Sequence, residues 1–293
     1  MPLPQPLPFT TLIQVSELQA LQASGAPVLV MDCSFDLTDL QAGRAQYLSG
    51  HLPGAQFADV HHDLSCHDAH AETASGGRHP LPARAQVAAW LAQRGLNPDT
   101  QLVVYDRQGC NFCARLWWMA QWAGHAAVAV LDGGLQAWCQ AGGKLETGEA
   151  PTPAPGHFQL QAPLRTLRSS AEVLAALGQP QQTLIDARAP ARFRGETEPL
   201  DPVAGHIPGA LNRPFSSNIA LDGRFKPATL LQAEWQELLH ERAPASVVHY
   251  CGSGVSALPN LLAMEIAGLG GSALFAGSWS EWCADATRPV ERG

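Results

Sequence analysis

Cys251 lies in the segment of this chain whose residue types most directly predict covalent chemistry. The β-branched residues Val247 and Val248 precede it, small residues follow it, and a helical pattern begins near Leu258. A strand that ends in cysteine and leads through a short loop into a helix directs backbone N–H groups and the positive end of the helix dipole at the sulfur. Such surroundings favour a thiolate and can hold a negatively charged sulfur species. We therefore predict that Cys251 is a nucleophile.

The loop after the cysteine consists of small residues: Gly252, Ser253, Gly254, Val255 and Ser256. Their backbone N–H groups can stabilise an anionic sulfur without adding a competing nucleophile. The two glycines allow backbone angles that other residues avoid, and the two serines can donate hydroxyl hydrogen bonds. We predict that this loop stabilises the anion formed on the cysteine.

The loop carries no cation, which argues against a cysteine phosphatase. Such an enzyme needs an arginine six positions after its cysteine to bind two phosphoryl oxygens, and here that position is Ala257. A protein that only binds or carries a sulfur anion, without catalysis, remains an alternative.

The elements that position the cysteine belong to the second half of an internal duplication. The first copy has Asp106 where the second has Cys251, so only one of the two loops retains cysteine chemistry. Four landmarks recur in the same order at a nearly constant offset: a strand pattern ending in Asp at 28–32 and 183–186, a GHxPGA turn at 50–55 and 205–210, a second apolar strand pattern at 102–106 and 247–251, and a closing turn before Trp at 132–138 and 276–282.

Short apolar strands alternate with helical patterns in both halves, which indicates parallel sheets covered on both faces. We predict an α/β fold of two tandem domains, 1–145 and 166–293, each a mostly parallel sheet flanked by helices. A proline-rich linker at 146–165 joins them. The predicted helices are at 85–93, 113–123, 169–177, 228–241 and 258–267.

These features resemble the tandem-rhodanese sulfurtransferases over essentially the whole chain. The resemblance rests on the paired GHxPGA turns, the Asp186-Ala187-Arg188 motif, the Cys251 loop and the closing 277–279 turn. It implies two rhodanese-like domains, the first catalytically silent and the second catalytic. It also implies an enzyme, without a cofactor, that moves a sulfane sulfur from a small donor through a Cys251 persulfide. The implied acceptor is cyanide, a thiol or a thioredoxin-like protein.

The neutral loop resembles the branch that uses 3-mercaptopyruvate. The thiosulfate branch usually has a basic pair directly after the cysteine, where this chain has Gly252 and Ser253. However, Leu200 stands where the mercaptopyruvate branch commonly has a second arginine. We expect 3-mercaptopyruvate as the donor, and a thiosulfate:cyanide sulfurtransferase remains the alternative.

Three further site residues are implied by the resemblance. Arg192 is expected to bind the donor carboxylate, for which a guanidinium fork is well suited. Arg188 is expected to orient the loop by pairing with a neighbouring acid. His79 matches a histidine that relays protons, but His61 occupies the position of its acid partner, so that partner is unassigned.

The composition limits the remaining functions. A formal net charge of −8 argues against nucleic-acid and anionic-membrane partners. No apolar run approaches the roughly 20 residues of a membrane span. Seven scattered cysteines form a poor disulfide framework, so we expect a cytoplasmic protein. Neither the Cys110-x-x-Cys113 pair nor the histidines at 61–79 match a zinc pattern, so we expect no metal.

Overall fold

The computed structural model describes residues 8–293. Runs of buried apolar residues form the strands of two sheets, each with five parallel strands. The first sheet comprises β1 (Leu12–Ile13), β2 (Val28–Asp32), β3 (Gln56–Phe57), β4 (Gln101–Tyr105) and β5 (Val128–Leu131). The second comprises β6 (Thr166–Leu167), β7 (Thr183–Asp186), β8 (Leu211–Asn212), β9 (Val247–Tyr250) and β10 (Ala273–Leu274).

The five predicted helices are present, with ends that differ from the prediction by one or two residues: α3 (Arg84–Gln93), α4 (Cys113–Trp122), α6 (Ser170–Ala175), α8 (Ala228–Leu239) and α9 (Leu258–Ile266). Five others carry a weaker sequence signal and were not predicted: α1 (Val15–Ala23), α2 (Ala42–Ser49), α5 (Gly134–Gln140), α7 (Pro190–Phe193) and α10 (Ser278–Trp282). Most of these are short, and a helix of two turns shows too few repeats of its apolar face to be recognised.

The strand order confirms the duplication and the α/β fold. It is β1-β5-β4-β2-β3 in the first sheet and β6-β10-β9-β7-β8 in the second, so each strand has a counterpart at the same place. The central strands β4 and β9 end next to Asp106 and Cys251. Ligands of parallel sheets bind outside the carboxyl ends of the strands. The fold therefore presents both loops at the edge where a site is expected.

The two halves share one apolar core. Helices α4 and α9, which follow the two loops, contact each other across the boundary between the halves. Every residue of α4 is buried, including Trp117 and Trp118. Burial of this extent ties the halves together through the hydrophobic effect and fixes the distance between the two loops.

The proline-rich segment between the sheets lies against the first half. The N–H groups of Gly156 and Phe158 donate to the carbonyls of Ala92 and Leu96 at 2.7 and 3.0 Å, and the Phe158 ring is buried. The segment is thus a tethered connection. The domain limits 1–145, 146–165 and 166–293 stay predictions, and residues 1–7 lie outside the described part.

Between residues 8 and 293 there is no helix with the length and apolar character needed to cross a membrane.

Candidate active site

The backbone of Cys251 is held on both sides. Its N–H donates to Ser278 Oγ at 3.1 Å, and its carbonyl accepts from the Trp279 N–H at 3.0 Å. Ser278 itself has a φ of +54°, and its hydroxyl donates to the Phe275 carbonyl at 3.0 Å. Cys251 is 2% exposed. The start of α10 therefore fixes the cysteine at the end of β9, in a site largely closed to water.

The loop after Cys251 presents unused backbone donors. Within residues 8–293, no acceptor is hydrogen-bonded to the N–H groups of residues 252–257. Gly254 has a φ of +74°, and a Cβ there would lie 2.1 Å from the Ala276 carbonyl oxygen, so this turn requires glycine. A buried N–H without a partner costs free energy, which an anion bound in the loop would recover.

The first half contains an equivalent loop whose backbone N–H groups bind a carboxylate of the protein itself, that of Asp106. The carboxylate of Asp106 accepts hydrogen bonds from four backbone N–H groups at 2.8–3.0 Å: those of Gln108, Cys110, Phe112 and Cys113. Burial raises the pKa of Asp106, and these four bonds oppose that rise. Gly109 has a φ of +68°, close to that of its counterpart Gly254. The equivalent N–H groups around Cys251 are therefore arranged to hold one negative charge.

A buried arginine from the first half supports the cysteine loop. The Arg115 guanidinium, on α4, donates to the carbonyls of Leu64, His79 and Gly254 at 2.9–3.0 Å. It is fully buried, and burial lowers its pKa to about 10, so it remains a cation at neutral pH. No carboxylate contacts it within the described residues. Its charge is thus left to act on the anion formed at Cys251.

His79 contacts the loop from the first half. Its Nδ1 lies 2.9 Å from Ser253 Oγ. Burial, assisted by the charges of Arg115 and Arg78, lowers the pKa of His79 to about 3. The imidazole is therefore neutral at physiological pH and can accept the Ser253 hydroxyl proton in a hydrogen bond.

The two acids that flank His61 in the sequence, Asp59 and Asp63, do not contact His79. Asp59 accepts from the backbone N–H groups of His61 and His62 at 2.7 and 3.0 Å. Asp63 accepts from the Trp90 indole and the Arg94 guanidinium at 3.1 and 3.2 Å. The stacked rings of His61 and His67 occupy the space beside His79 instead. The predicted relay has no acid partner among the described residues.

Arg188 pairs with the neighbouring acid that the sequence indicated. Its guanidinium binds both oxygens of Asp186 at 2.6–3.1 Å, donates to the Gly205 carbonyl at 2.7 Å and lies over the Trp279 ring. Burial disfavours its charge, but Asp186 raises the pKa of Arg188 above the ordinary arginine value. Because Trp279 donates to the Cys251 carbonyl, Arg188 supports the loop from behind and does not face it.

Arg192 lies at the mouth of the loop together with an arginine that the sequence did not single out. Arg192 donates to Glu198 at 2.6 and 3.2 Å and to Asp201 at 3.2 Å. Arg78, from the first half, donates to the other oxygen of Asp201 at 2.5 Å. Both guanidinium groups are next to Gly252. The only sequence signal for Arg78 is its position directly before His79.

Leu200, which stands where a second donor-binding arginine is common, is about half exposed. Cys110 and Cys113 are buried beside Asp106, and burial raises the pKa of the Cys113 thiol. Over residues 8–293, no three His, Cys, Asp or Glu side chains are grouped so that they could hold a metal ion.

Comparisons with known proteins agree with this geometry. The model of the rhodanese-like domain matches residues 14–141 and 169–285. The chain is 47% identical over 275 residues to a Pseudomonas aeruginosa protein named as a 3-mercaptopyruvate sulfurtransferase, covering 94% of this chain and 95% of that protein. It is 44% identical over 290 residues to a Mycobacterium tuberculosis protein named as a thiosulfate sulfurtransferase, covering 96% and 97%. The crystal structure of SseA from Escherichia coli, described as a 3-mercaptopyruvate sulfotransferase, matches with a TM-score of 0.76 and 30% identity, covering 93% of this chain and 100% of that one.

Proposed function

The chain belongs to the rhodanese-like family and is a sulfurtransferase, and we propose that Cys251 carries the transferred sulfur as a persulfide. The observation that carries this proposal is the contrast between the two loops. In the first loop, a carboxylate accepts hydrogen bonds from four backbone N–H groups. In the second, three of the four equivalent N–H groups, those of Ser253, Val255 and Ala257, have no acceptor within residues 8–293, and the fourth, that of Leu258, donates to the Val255 carbonyl at 3.1 Å. A terminal persulfide sulfur would supply the missing negative charge.

We propose 3-mercaptopyruvate as the preferred donor. The Cys251 thiolate attacks the donor sulfur, an S–S bond forms, and the C–S bond breaks. The electron pair of that bond leaves with the carbon as the enolate of pyruvate, which takes up the proton from the former donor thiol. The products are pyruvate and the Cys251 persulfide anion, so no oxidant or reductant is consumed.

The loop and Arg115 would stabilise the persulfide between the two half-reactions. The N–H groups of residues 252–257 would donate to the outer sulfur, and the buried Arg115 charge would offset its negative charge. In the second half-reaction the acceptor attacks the outer sulfur, and the electrons of the S–S bond return to the Cys251 thiolate. We propose cyanide, a small thiol or a thioredoxin-like protein as acceptor, and the cytoplasm as the compartment.

His79 and Ser253 would act as a pair beside the reacting sulfur. With a pKa of about 3, His79 is a poor carrier of a full proton at neutral pH. We therefore propose that it accepts a hydrogen bond from Ser253 and so fixes the position of that hydroxyl oxygen beside the loop. The role that we propose for His79 is therefore positioning, in place of the proton relay that the family resemblance implied.

Thiosulfate is the second candidate donor. Two guanidinium groups next to Gly252 suit a dianion as well as a carboxylate, and one close relative is named for this donor. The neutral residues directly after Cys251 favour the singly charged mercaptopyruvate carboxylate.

The proposal is tested by single-turnover mass spectrometry. Wild-type protein mixed with 3-mercaptopyruvate should gain one sulfur atom on the peptide containing Cys251, release an equal amount of pyruvate, and lose the sulfur again on addition of cyanide. Cys251→Ser should show none of these changes, whereas the exposed Cys139→Ser should behave as wild type. Sulfur on another cysteine, or turnover retained by Cys251→Ser, would contradict the assignment.

Comparison of the two donors decides between the candidates. We expect kcat/KM with cyanide to be more than about tenfold higher for 3-mercaptopyruvate than for thiosulfate, equivalent to about 1.4 kcal/mol of transition-state stabilisation. The reverse order would make thiosulfate the donor.

A further inference from the structure

We infer that Arg78 of the first half and Arg192 of the second form one clamp for the oxyanion end of the sulfur donor. This inference rests on the proposed function, because it assigns part of the donor site beside Cys251. The second half holds Cys251 and the loop, so the donor site would be complete only when both halves are present.

The two guanidinium groups meet at Gly252. A Cβ at this glycine would lie 3.1 Å from Arg78 Nη2 and 3.4 Å from Arg192 Nη1. These are the two heavy atoms nearest to the position that a Cβ would occupy at Gly252. The residue directly after the cysteine thus leaves a gap bordered by one guanidinium from each half.

The nitrogens that border the gap are unused. Arg192 bonds through Nε and Nη2 to Glu198 and Asp201, and Nη1 has no acceptor within residues 8–293. Arg78 bonds through Nη1 to Asp201, while its Nη2 has no acceptor and its Nε is buried without one. Each group is therefore anchored at one edge and presents its free edge towards Gly252.

Asp201 makes the two arginines a single unit. One carboxylate oxygen accepts from Arg78 at 2.5 Å and the other from Arg192 at 3.2 Å, and the side chain is only 3% exposed. Ser280 links Arg78 to the loop, because its hydroxyl accepts from the Arg78 backbone N–H at 2.9 Å and its own N–H donates to the Gly252 carbonyl at 2.9 Å. These contacts hold two positive groups side by side, which would otherwise repel each other.

A planar oxyanion matches this arrangement. Carboxylates bind guanidinium groups through parallel N–H donors, and donors from two groups would grip both oxygens of one carboxylate. In 3-mercaptopyruvate two carbons separate the carboxylate from the sulfur. A carboxylate held over Gly252 would therefore keep the sulfur near the adjacent Cys251. The sulfonate end of thiosulfate offers the same oxygen chemistry.

The alternative role for Arg78 is an ion pair that only joins the halves. Kinetics with two donors distinguish the roles: 3-mercaptopyruvate, and mercaptopropanone, which has the same thiol and ketone but no carboxylate. We expect Arg78→Gln to lower kcat/KM for 3-mercaptopyruvate by on the order of 10- to 100-fold, mainly through KM, and to leave mercaptopropanone almost unchanged. An equal loss with both donors would overturn the clamp, as would no loss with either.

Two variants make the test specific. Arg94→Gln removes an arginine of similar exposure that pairs with Asp63 within the first half, and it should leave both donors unaffected. Arg78→Gln/Arg192→Gln should lose less than the product of the single losses, because both groups grip the same carboxylate. Losses that multiply would indicate two separate sites and would contradict the clamp.

Failure of the clamp can be told apart from failure of the proposed function. If wild-type protein forms the Cys251 persulfide from 3-mercaptopyruvate but Arg78→Gln does so with unchanged KM, only the clamp is wrong. If wild-type protein forms no persulfide from 3-mercaptopyruvate, from mercaptopropanone or from thiosulfate, the proposed function is wrong.

Discussion

At the scale of the residue, the difference between the two halves comes down to one side chain at equivalent strand ends. The Asp106 carboxylate accepts hydrogen bonds from four backbone N–H groups of its own loop. Cys251 has the equivalent donors but a side chain that does not occupy them. A carboxylate also cannot take up and release sulfur. Both properties belong to the Asp106 side chain, so we do not expect the first loop to transfer sulfur.

The pairing of His79 with Ser253 gives a prediction at the same scale. Ser253→Ala and His79→Phe should each lower kcat/KM on the order of tenfold to a hundredfold, because each removes the hydrogen bond that positions the hydroxyl. The double variant should lose no more than the worse single variant.

The pH profile checks that His79 acts while neutral. Because burial keeps the pKa of His79 near 3, its titration should not affect the pH profile of kcat/KM near pH 6.5. Any change of slope that the wild type shows near pH 6.5 should therefore also be present in His79→Phe. A change of slope that disappears in this variant would mean that His79 gains and loses a proton during turnover, as a direct relay requires.

At the scale of the element, helix α4 of the first half contributes to the candidate active site. Its Arg115 joins the carbonyl of Gly254, in the cysteine loop, to that of His79, in the segment that covers the loop. The helix is fully buried between the halves, so this arginine cannot turn away to solvent. The first half thus contributes a fixed positive charge that the cysteine loop itself lacks.

We expect Arg115→Met to slow alkylation of Cys251 by iodoacetamide at pH 7 and to lower the free energy of unfolding by about 1–3 kcal/mol. The first effect follows from loss of a buried charge near the thiolate, and the second from carbonyls left without a donor. Arg115→Lys should retain most of the alkylation rate, since it keeps the charge, but should lose stability because a single ammonium cannot reach three carbonyls.

Equal alkylation rates in all three proteins would show that Arg115 serves structure alone. The stability measurement, by chemical denaturation, confirms that each variant is folded before its thiol is compared.

At the scale of the whole molecule, each half covers the loop of the other. From the first half, Arg78 and His79 reach the Cys251 loop at Gly252 and Ser253. From the second half, Arg224 and Phe225 contact Asp132 near the Asp106 loop, and the Phe225 N–H donates to the Asp132 carboxylate at 2.9 Å. Together with the shared core, this exchange means that side chains of the first half border the Cys251 loop of the second.

Buried neutral histidines make the stability of this body depend on pH. Burial lowers the pKa of His249, on β9, to about 3, as it does for His79, from an ordinary value near 6.5. The unfolded chain therefore binds more protons than the folded one between these values. The contribution of these two histidines to stability is therefore complete above about pH 6.5 and is lost as the pH falls towards 3.

Replacement of His249 should reduce this dependence. His249→Phe should flatten the slope of unfolding free energy against pH between 6 and 4 by at most about 1.4 kcal/mol per pH unit, the effect of one proton. The exposed His157→Phe is the matched control and should keep the wild-type slope. Urea denaturation at several pH values measures both, and identical slopes in all three proteins would refute the role of His249.

Local sequence patterns determined a large part of this account. The duplication, the parallel strands, five of the ten α-helices and the place of Cys251 at the end of a central strand follow from apolar periodicity and loop composition, because these record burial and turns within a few residues. The pairing of Arg188 with an acid was predictable for the same reason, since Asp186 is two residues away. Arg192 and His79 came from family motifs.

Only the tertiary structure decided which residues of the first half meet the cysteine loop. Arg78 and Arg115 are 173 and 136 positions before Cys251, and no local pattern relates residues so far apart. The contact between α4 and α9, and the exchange of covering segments, bring them within reach. The sequence determined the thiol and the donors that surround it, whereas the packing of one half on the other determined the charges that act on them.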